Sequence, residues 1–394
     1  MNIQSFVSTL KSFARDKDVL NLHEPIFLGK EKDYVNDCIE TGWVSSVGAY
    51  VNRFEKELAE YTGSRRAIAV VNGTAALHIS LLLNNIGEND EVLLPALTFV
   101  ASANAIAYCR AIPHFVEISQ ETLGVDPELL RRYLQDTTFI KNQHCINRKT
   151  GRPIKALMVV HAFGHCASME ALHQICQDHN LALIEDAAEA LGSTYKNQHA
   201  GTFGQAGALS FNGNKIITTG GGGAVLLNSE RMAEQARHIS TTAKLPHGWE
   251  YNHDQVGYNY RMPNINAALG VAQLEQLPQF LLQKRRLTQI YKERFLEFSN
   301  VTVFEQPQNC HSNYWLNVLL LDQSLNTEAK DPSLLDQILA ACHDANIMVR
   351  PAWRLLHQLP MYTHCPKMDL SFSEDIVKRL ICLPSSADLV NHAT

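Results

Sequence analysis

The chain has 394 residues, 45% hydrophobic and 19% charged, enough to bury a large core and to form two domains or one domain with an appendage. A formal net charge of -6 without a basic run argues against nucleic acid as a partner, and no apolar stretch reaches the roughly 18 residues of a membrane-spanning helix. Nine scattered cysteines with no CxxC pair fit free thiols in the cytoplasm.

Ile3, Phe6, Val7, Leu10 and Phe13 recur at helical spacing with charged residues between them, so the N-terminus up to Asp18 reads as a packed helix or arm and not as a signal peptide. From about residue 65 to 230, β-rich apolar runs alternate with helical segments. Strands are expected at 67–71, 91–94, 114–116, 155–160 and 181–185, and helices at 74–83, 102–108 and 169–179. This β-α-β order predicts a doubly wound α/β core with a mostly parallel sheet. Ligands of such sheets sit beyond the carboxyl ends of the strands, where Asn72-Gly73-Thr74, Thr98-Phe99, His161 and Asp186 emerge.

After Pro263 the texture changes. Residues 264–286 look helical with a break at Pro278, and 314–321, 334–346 and 347–350 read as a smaller α+β unit. The expected division is an arm at 1–30, a large α/β domain at 31–262 and a small C-terminal α+β domain at 263–394.

Two constellations carry chemistry. At Asn72-Gly73-Thr74 a strand ends in a glycine turn and a helix begins, which leaves free N–H groups at the positive end of the helix dipole. A capped helix and a phosphate cradle both fit, since neither a Walker loop nor GxGxxG is present. The second pairs Asp186, at the end of an apolar strand, with Lys215 in Ser210-Phe211-Asn212-Gly213-Asn214-Lys215, followed by Gly220 to Gly223. A carboxylate at a pyridine nitrogen keeps that nitrogen protonated and makes the ring an electron sink, while a lysine forms a Schiff base with an aldehyde. The lysine must shed its proton to attack. Ser210 adds a hydroxyl for a phosphate, and Phe99 offers a ring a face to lie on, although core packing also accounts for it.

Together with Thr41-Gly42-Trp43-Val44-Ser45-Ser46, Leu94-Pro95-Ala96-Leu97-Thr98-Phe99, Glu185-Asp186-Ala187-Ala188-Glu189 and Gly257-Tyr258-Asn259-Tyr260-Arg261-Met262, these motifs resemble, in order along nearly the whole chain, the DegT/DnrJ/EryC1/StrS nucleotide-sugar aminotransferases. Leu22-His23-Glu24-Pro25, Ser45-Ser46-Val47-Gly48, Thr241-Thr242-Ala243-Lys244 and Asn313-Tyr314-Trp315 look more narrowly like the branch that serves legionaminic acid and bacillosamine synthesis.

The resemblance implies a fold-type I pyridoxal 5'-phosphate enzyme, with pyridoxamine 5'-phosphate in the half-reaction, acting as a homodimer with shared active sites. By position, Lys215 would bond the cofactor and move the proton, and Asp186 would pair with the pyridinium. Phe99 would stack on the ring, Gly73, Thr74 and Ser210 would hold the phosphate with Asn212 beside them, and Asn259 or Arg261 would reach it from the other subunit. Trp43, Ser45 and Ser46 would line the sugar site, with turn structure as the alternative, and His357 matches a substrate-side histidine for which packing serves equally well.

Two positions depart from the family pattern. Glu189 stands where many relatives have a glutamine that donates to the cofactor's phenolic oxygen, so either it carries a raised pKa or it faces elsewhere. Gly221 stands where a glutamate is common. Histidine spacing gives no metal site.

The implied reaction moves the amino group of L-glutamate to the 4-keto carbon of a UDP- or GDP-linked 2-acetamido-2,6-dideoxy-hexos-4-ulose, for a surface glycan or nonulosonic acid. Amination at C3, or of a dTDP-linked sugar, is an alternative. Lys215 argues against a sugar dehydratase, in which histidine replaces the lysine, and the presence of both Lys215 and Asp186 argues against a non-catalytic regulator of the same fold. A Rossmann dehydrogenase lacks its glycine spacing here.

Overall fold

The computed structural model describes residues 2–14, 17–326 and 332–391. Met1, Arg15 and Asp16 of the expected N-terminal segment, and 327–331 and 392–394 of the expected C-terminal unit, lie outside the described residues.

Helices α1 (Ile3–Lys11), α2 (Glu31–Thr41) and α3 (Ala49–Thr62) precede β1 (Arg66–Val70), α4 (Gly73–Leu83), β2 (Glu91–Pro95), α5 (Val100–Tyr108) and β3 (Ile112–Val116). Then come α6 (Pro127–Thr137), β4 (Thr138–Lys141), β5 (His144–Asn147), β6 (Pro153–Val160), α7 (Met169–Asp178) and β7 (Ala182–Asp186). Short strands β8 (Thr194–Tyr195) and β9 (Gln198–His199) lead to β10 (Ala206–Ser210), β11 (Gly223–Leu227) and α8 (Glu230–Ser240). The long α9 (Asn264–Phe295) is followed by β12 (Val301–Val303), β13 (Cys310–His311), β14 (Asn317–Leu321), α10 (Leu334–Asp344), β15 (Arg350–Pro351), α11 (Ser371–Ile376) and β16 (Leu380–Leu383).

The main sheet runs β1-β11-β10-β7-β6-β2-β3, with the β4–β5 hairpin added alongside β6. Neighbours from β10 to β3 are parallel, as the β-α-β pattern predicts. Strand β11 is antiparallel to both β1 and β10, so the sheet is mixed. Its first residue, Gly223, pairs with Val70 and Ser210, so the chain turns back at the same edge where the other strands end. The strands are buried on both faces, which explains why they read as continuous apolar runs.

The fold is that of the fold-type I pyridoxal-phosphate transferases, a large mixed α/β domain and a small C-terminal domain built on the antiparallel sheet β12-β14-β16-β15. Phe6, Leu10 and Phe13 of the N-terminal segment belong to the core of this smaller sheet, with Tyr291, Phe295, Ile338 and Ile381. The arm therefore folds onto the far end of the chain. Helix α9 joins the two cores: Ala267, Val271 and Leu277 pack with Phe54 and Phe211, while Leu287 and Tyr291 pack with the C-terminal sheet. The division that we propose at 262/263 thus falls at the start of a shared helix.

The break expected at Pro278 is corrected, because α9 continues through it without interruption. A proline inside a helix costs about 3 kcal/mol. Burial of Leu274, Leu277, Phe280 and Leu281 on either side of it outweighs that cost. No helix among the described residues is long and apolar enough to cross a membrane, and all nine cysteines are free.

Candidate active site

A cavity of about 380 Å3 opens at the carboxyl edge of the main sheet. Asn72, Gly73 and Thr74 reach it after β1, Thr98 and Phe99 after β2, Val160 from β6, Asp186 from β7 and Ser210 from β10, while Asn212 and Lys215 come from the turn toward β11. One sheet edge therefore gathers residues far apart in sequence, as strand ends of an α/β sheet do.

At the end of the cavity next to β1, the residue capping α4 is Asn72, whose Oδ1 accepts the Ala75 N–H at 2.8 Å, and the helix begins one residue before the expected Thr74. The N–H groups of Gly73 and Thr74 precede the first helical bond and are available to a ligand at the positive end of the dipole. Gly73 is required by close approach: a Cβ there would lie 2.8 Å from the Cβ of Ser210. Its absence brings the helix start and the Ser210 hydroxyl against one small volume.

At the other end, Asp186 is buried, and its carboxylate accepts Ser102 Oγ at 2.7 Å and the Ala188 N–H at 3.2 Å. Burial pushes its pKa above the ordinary value, and these bonds together with the charge of Lys215 offset only part of that. A cationic ring N–H at this carboxylate would restore the ionised form.

Lys215 Nζ lies 3.4 Å from Glu189 Oε1 and 3.9 Å from the centre of the Trp315 ring. Both partners of this ion pair are almost wholly buried, at 12% and 8% side-chain exposure. Burial pushes Glu189 up to about 7, with Lys215 and the Phe163 N–H pulling it back and Asp186 pushing it further up. Glu189 thus lines the cavity.

Other expected residues fall outside this cavity. His357 is buried beside Phe115, with Nε2 2.8 Å from Glu374 Oε1 and Nδ1 without a hydrogen-bond partner among the described residues. Trp43 and Ser45 are exposed and Ser46 is half-buried on the stretch between α2 and α3. Asn264 ties that stretch down, donating from Nδ2 to Trp43 O at 2.6 Å and from its backbone N–H to Ser45 O. Asn259 is exposed and bridges to Thr241, while Arg261 bridges to Val70 at the outer edge of β1 and keeps a buried Nε without a hydrogen-bond partner.

Several lining residues were not singled out from the sequence. Trp315 and Trp353, from the C-terminal part of the chain, form an aromatic wall, with Trp353 stacked on Phe163 at 4.8 Å. Ser102 holds Asp186, and Trp315 Nε1 donates to Asn214 O at 2.6 Å, fixing the turn that carries Lys215. Trp315 stood within a motif, but nothing local ties it to Lys215; Ser102, one helical turn after the strand-end Thr98, was the more legible of these.

The donor set fits pyridoxal phosphate. Two hydroxyls and two free N–H groups at one end suit a phosphate dianion, Phe99 lines the middle, and a buried carboxylate and a lysine amine occupy the other end.

Comparison with known proteins identifies the family. A family model described as the DegT/DnrJ/EryC1/StrS aminotransferase family matches residues 27–394. A GDP-perosamine synthase of Vibrio cholerae is 38% identical over 93% of this chain and 94% of its own length. EpsN of Bacillus subtilis, named as a putative pyridoxal phosphate-dependent aminotransferase, is 37% identical over 93% of this chain and 92% of its own. The crystal structure of a DegT DnrJ EryC1 StrS aminotransferase from Brucella abortus superimposes with a TM-score of 0.80 at 26% identity, covering 92% and 94% of the two chains. These relatives support the family and do not single out the legionaminic acid and bacillosamine branch that the narrower motifs suggest.

Proposed function

The chain belongs to the DegT/DnrJ/EryC1/StrS aminotransferase family and is a pyridoxal-phosphate-dependent sugar aminotransferase, and from that premise we propose that it moves the amino group of L-glutamate to the 4-keto carbon of a nucleotide-linked 6-deoxyhexos-4-ulose. The observation that carries this reading is Lys215 Nζ held 3.4 Å from Glu189 in the cavity that also contains the buried Asp186. Lysine at this place can return a proton to the substrate carbon, whereas histidine would favour dehydration.

Pyridoxal phosphate supplies the aldehyde and the electron sink. Gly73, Thr74 and Ser210 bind its phosphate, with Asn212 beside them, Phe99 supports the ring, and Asp186 holds the proton on the ring nitrogen. Lys215 moves protons at the reacting carbon. In the homodimer that we propose, Asn259 or Arg261 of a second copy completes the phosphate site, and Trp43, Ser45 and Ser46 line the sugar site.

A GDP-linked acceptor draws support from the similarity to GDP-perosamine synthase. A UDP-linked 2-acetamido sugar is the second reading, favoured by Leu22-His23-Glu24-Pro25 and Ser45-Ser46-Val47-Gly48. The test is to follow the visible absorption of the purified holoenzyme during addition of glutamate and then of candidate keto-sugars. The band of the lysine-bound cofactor should vanish with glutamate and return only with the true acceptor; a protein with no such band would end the reading.

A further inference from the structure

We propose that Glu189 is the proton acceptor for Lys215: its Oε1 takes a proton from the Nζ ammonium and so frees the amine that captures the cofactor aldehyde. The inference rests on the function proposed above and adds a residue to its chemistry.

The geometry assigns different tasks to the two carboxyl oxygens of Glu189. Oε2 accepts the Phe163 N–H at 2.8 Å, so it is engaged as an acceptor. Phe163 presents that N–H from a left-handed backbone conformation, φ 58, which costs a non-glycine residue about 1 kcal/mol or more. Gly164 follows at φ +95, where any Cβ would overlap the Asn313 side chain. Asn313 in turn donates from Nδ2 to the carbonyls of Glu189 and Leu191, both at 2.8 Å. A strained loop and a buried amide thus hold one carboxyl in one orientation. The remaining oxygen, Oε1, faces Lys215 Nζ, and a proton on the neutral acid belongs there, since the other oxygen already accepts an N–H.

The transfer balances without another reactant. One N–H bond breaks, one O–H bond forms, and a pair carrying one positive and one negative charge becomes two neutral groups. Trp315, under Nζ, offers no proton acceptor. Asp186 is engaged by Ser102 and Ala188. The ionisable groups that act on Glu189 are Lys215 from the turn before β11 and Asp186 at the end of β7; Cys382 on β16 feels the charge of Glu189, and burial pushes its thiol well up. Glu189 sits near 7 even with the lysine charge pulling it down, so loss of that charge leaves the proton on Glu189.

The test uses the full chain stripped of cofactor and mixed with pyridoxal phosphate, and reads the rate at which the lysine-bound absorption appears across about pH 5 to 9. The wild-type rate should break near pH 7. Glu189→Gln keeps an acceptor for the Phe163 N–H and should load about 10²-fold more slowly at pH 7, without the break. Glu189→Asp should restore a break at an intermediate rate. If Glu189 merely stabilised the ammonium, the glutamine variant would load faster; that result, or an unchanged profile, overturns the proposal. A wild-type profile with no break overturns it without any variant. A wild-type protein that takes up no pyridoxal phosphate would instead sink the functional reading itself.

Discussion

Glu91 and Glu189 are both buried carboxylates at the ends of the main sheet, and their surroundings push them in opposite directions. At the amino edge, Glu91 opens β2 and receives His114 Nδ1 at 2.8 Å, Asn147 Nδ2 at 2.8 Å and Thr150 Oγ1 at 2.6 Å. Burial raises its pKa, but these bonds outweigh burial and the carboxyl is held below its ordinary value. At the carboxyl edge, Glu189 has one backbone N–H and one lysine, and burial wins. A carboxylate with its lone pairs filled is a structural tie; one left short of donors keeps free energy in reserve for a proton or a ligand.

Three substitutions sharpen or break this contrast. The largest effect is expected from Lys215→Ala, which should lower kcat about 10⁴-fold while the cofactor-free protein stays folded; steady-state rates and circular dichroism check both halves. Activity within tenfold of wild type would remove the carboxyl edge from the chemistry.

Next is Glu91→Gln, expected to cost about 3–5 kcal/mol of stability, because donors arranged for an anion lose their charge partner. Urea unfolding should show that loss at neutral pH. The folded pKa lies below the unfolded one, so this stabilisation is present above the unfolded value and disappears as pH falls through the folded value. The wild-type advantage should therefore shrink in acid.

The same substitution at the other edge should have the opposite sign. The folded pKa of Glu189, about 7, exceeds its ordinary 4.5, so the wild type loses stability as pH rises from 4.5 to 7 and carries the full penalty above 7. In the cofactor-free protein Glu189→Gln should match the wild type near pH 4.5 and exceed it by up to about 3 kcal/mol at pH 8, at roughly 1.4 kcal/mol per pKa unit. A glutamine variant that is less stable at pH 8 would make Glu189 a structural tie like Glu91.

Local pattern sufficed where one segment carries its own signal. The parallel strands β2, β6 and β7 were legible because both faces are buried and the runs are continuously apolar. Lys215, Asp186, Gly73, Thr74 and Ser210 were legible because strand ends and turns are marked by their own residues. The antiparallel β11 was not, since an apolar run says nothing about strand direction. Pro278 misled because its cost is local, whereas the burial that overrides it comes from a core shared with Phe54 and Phe211, distant along the chain.

By itself, the sequence determined that a lysine, a carboxylate and a glycine-led helix start emerge at one edge of an α/β sheet, because strand order and strand ends are properties of short segments. Only the tertiary structure decided that Trp315 lies beneath Lys215, that Phe163 holds one oxygen of Glu189, and that His357 packs away from the cavity. Those contacts join residues distant along the chain, and the desolvation that sets the charge of Glu189 exists only once all of them are packed around it.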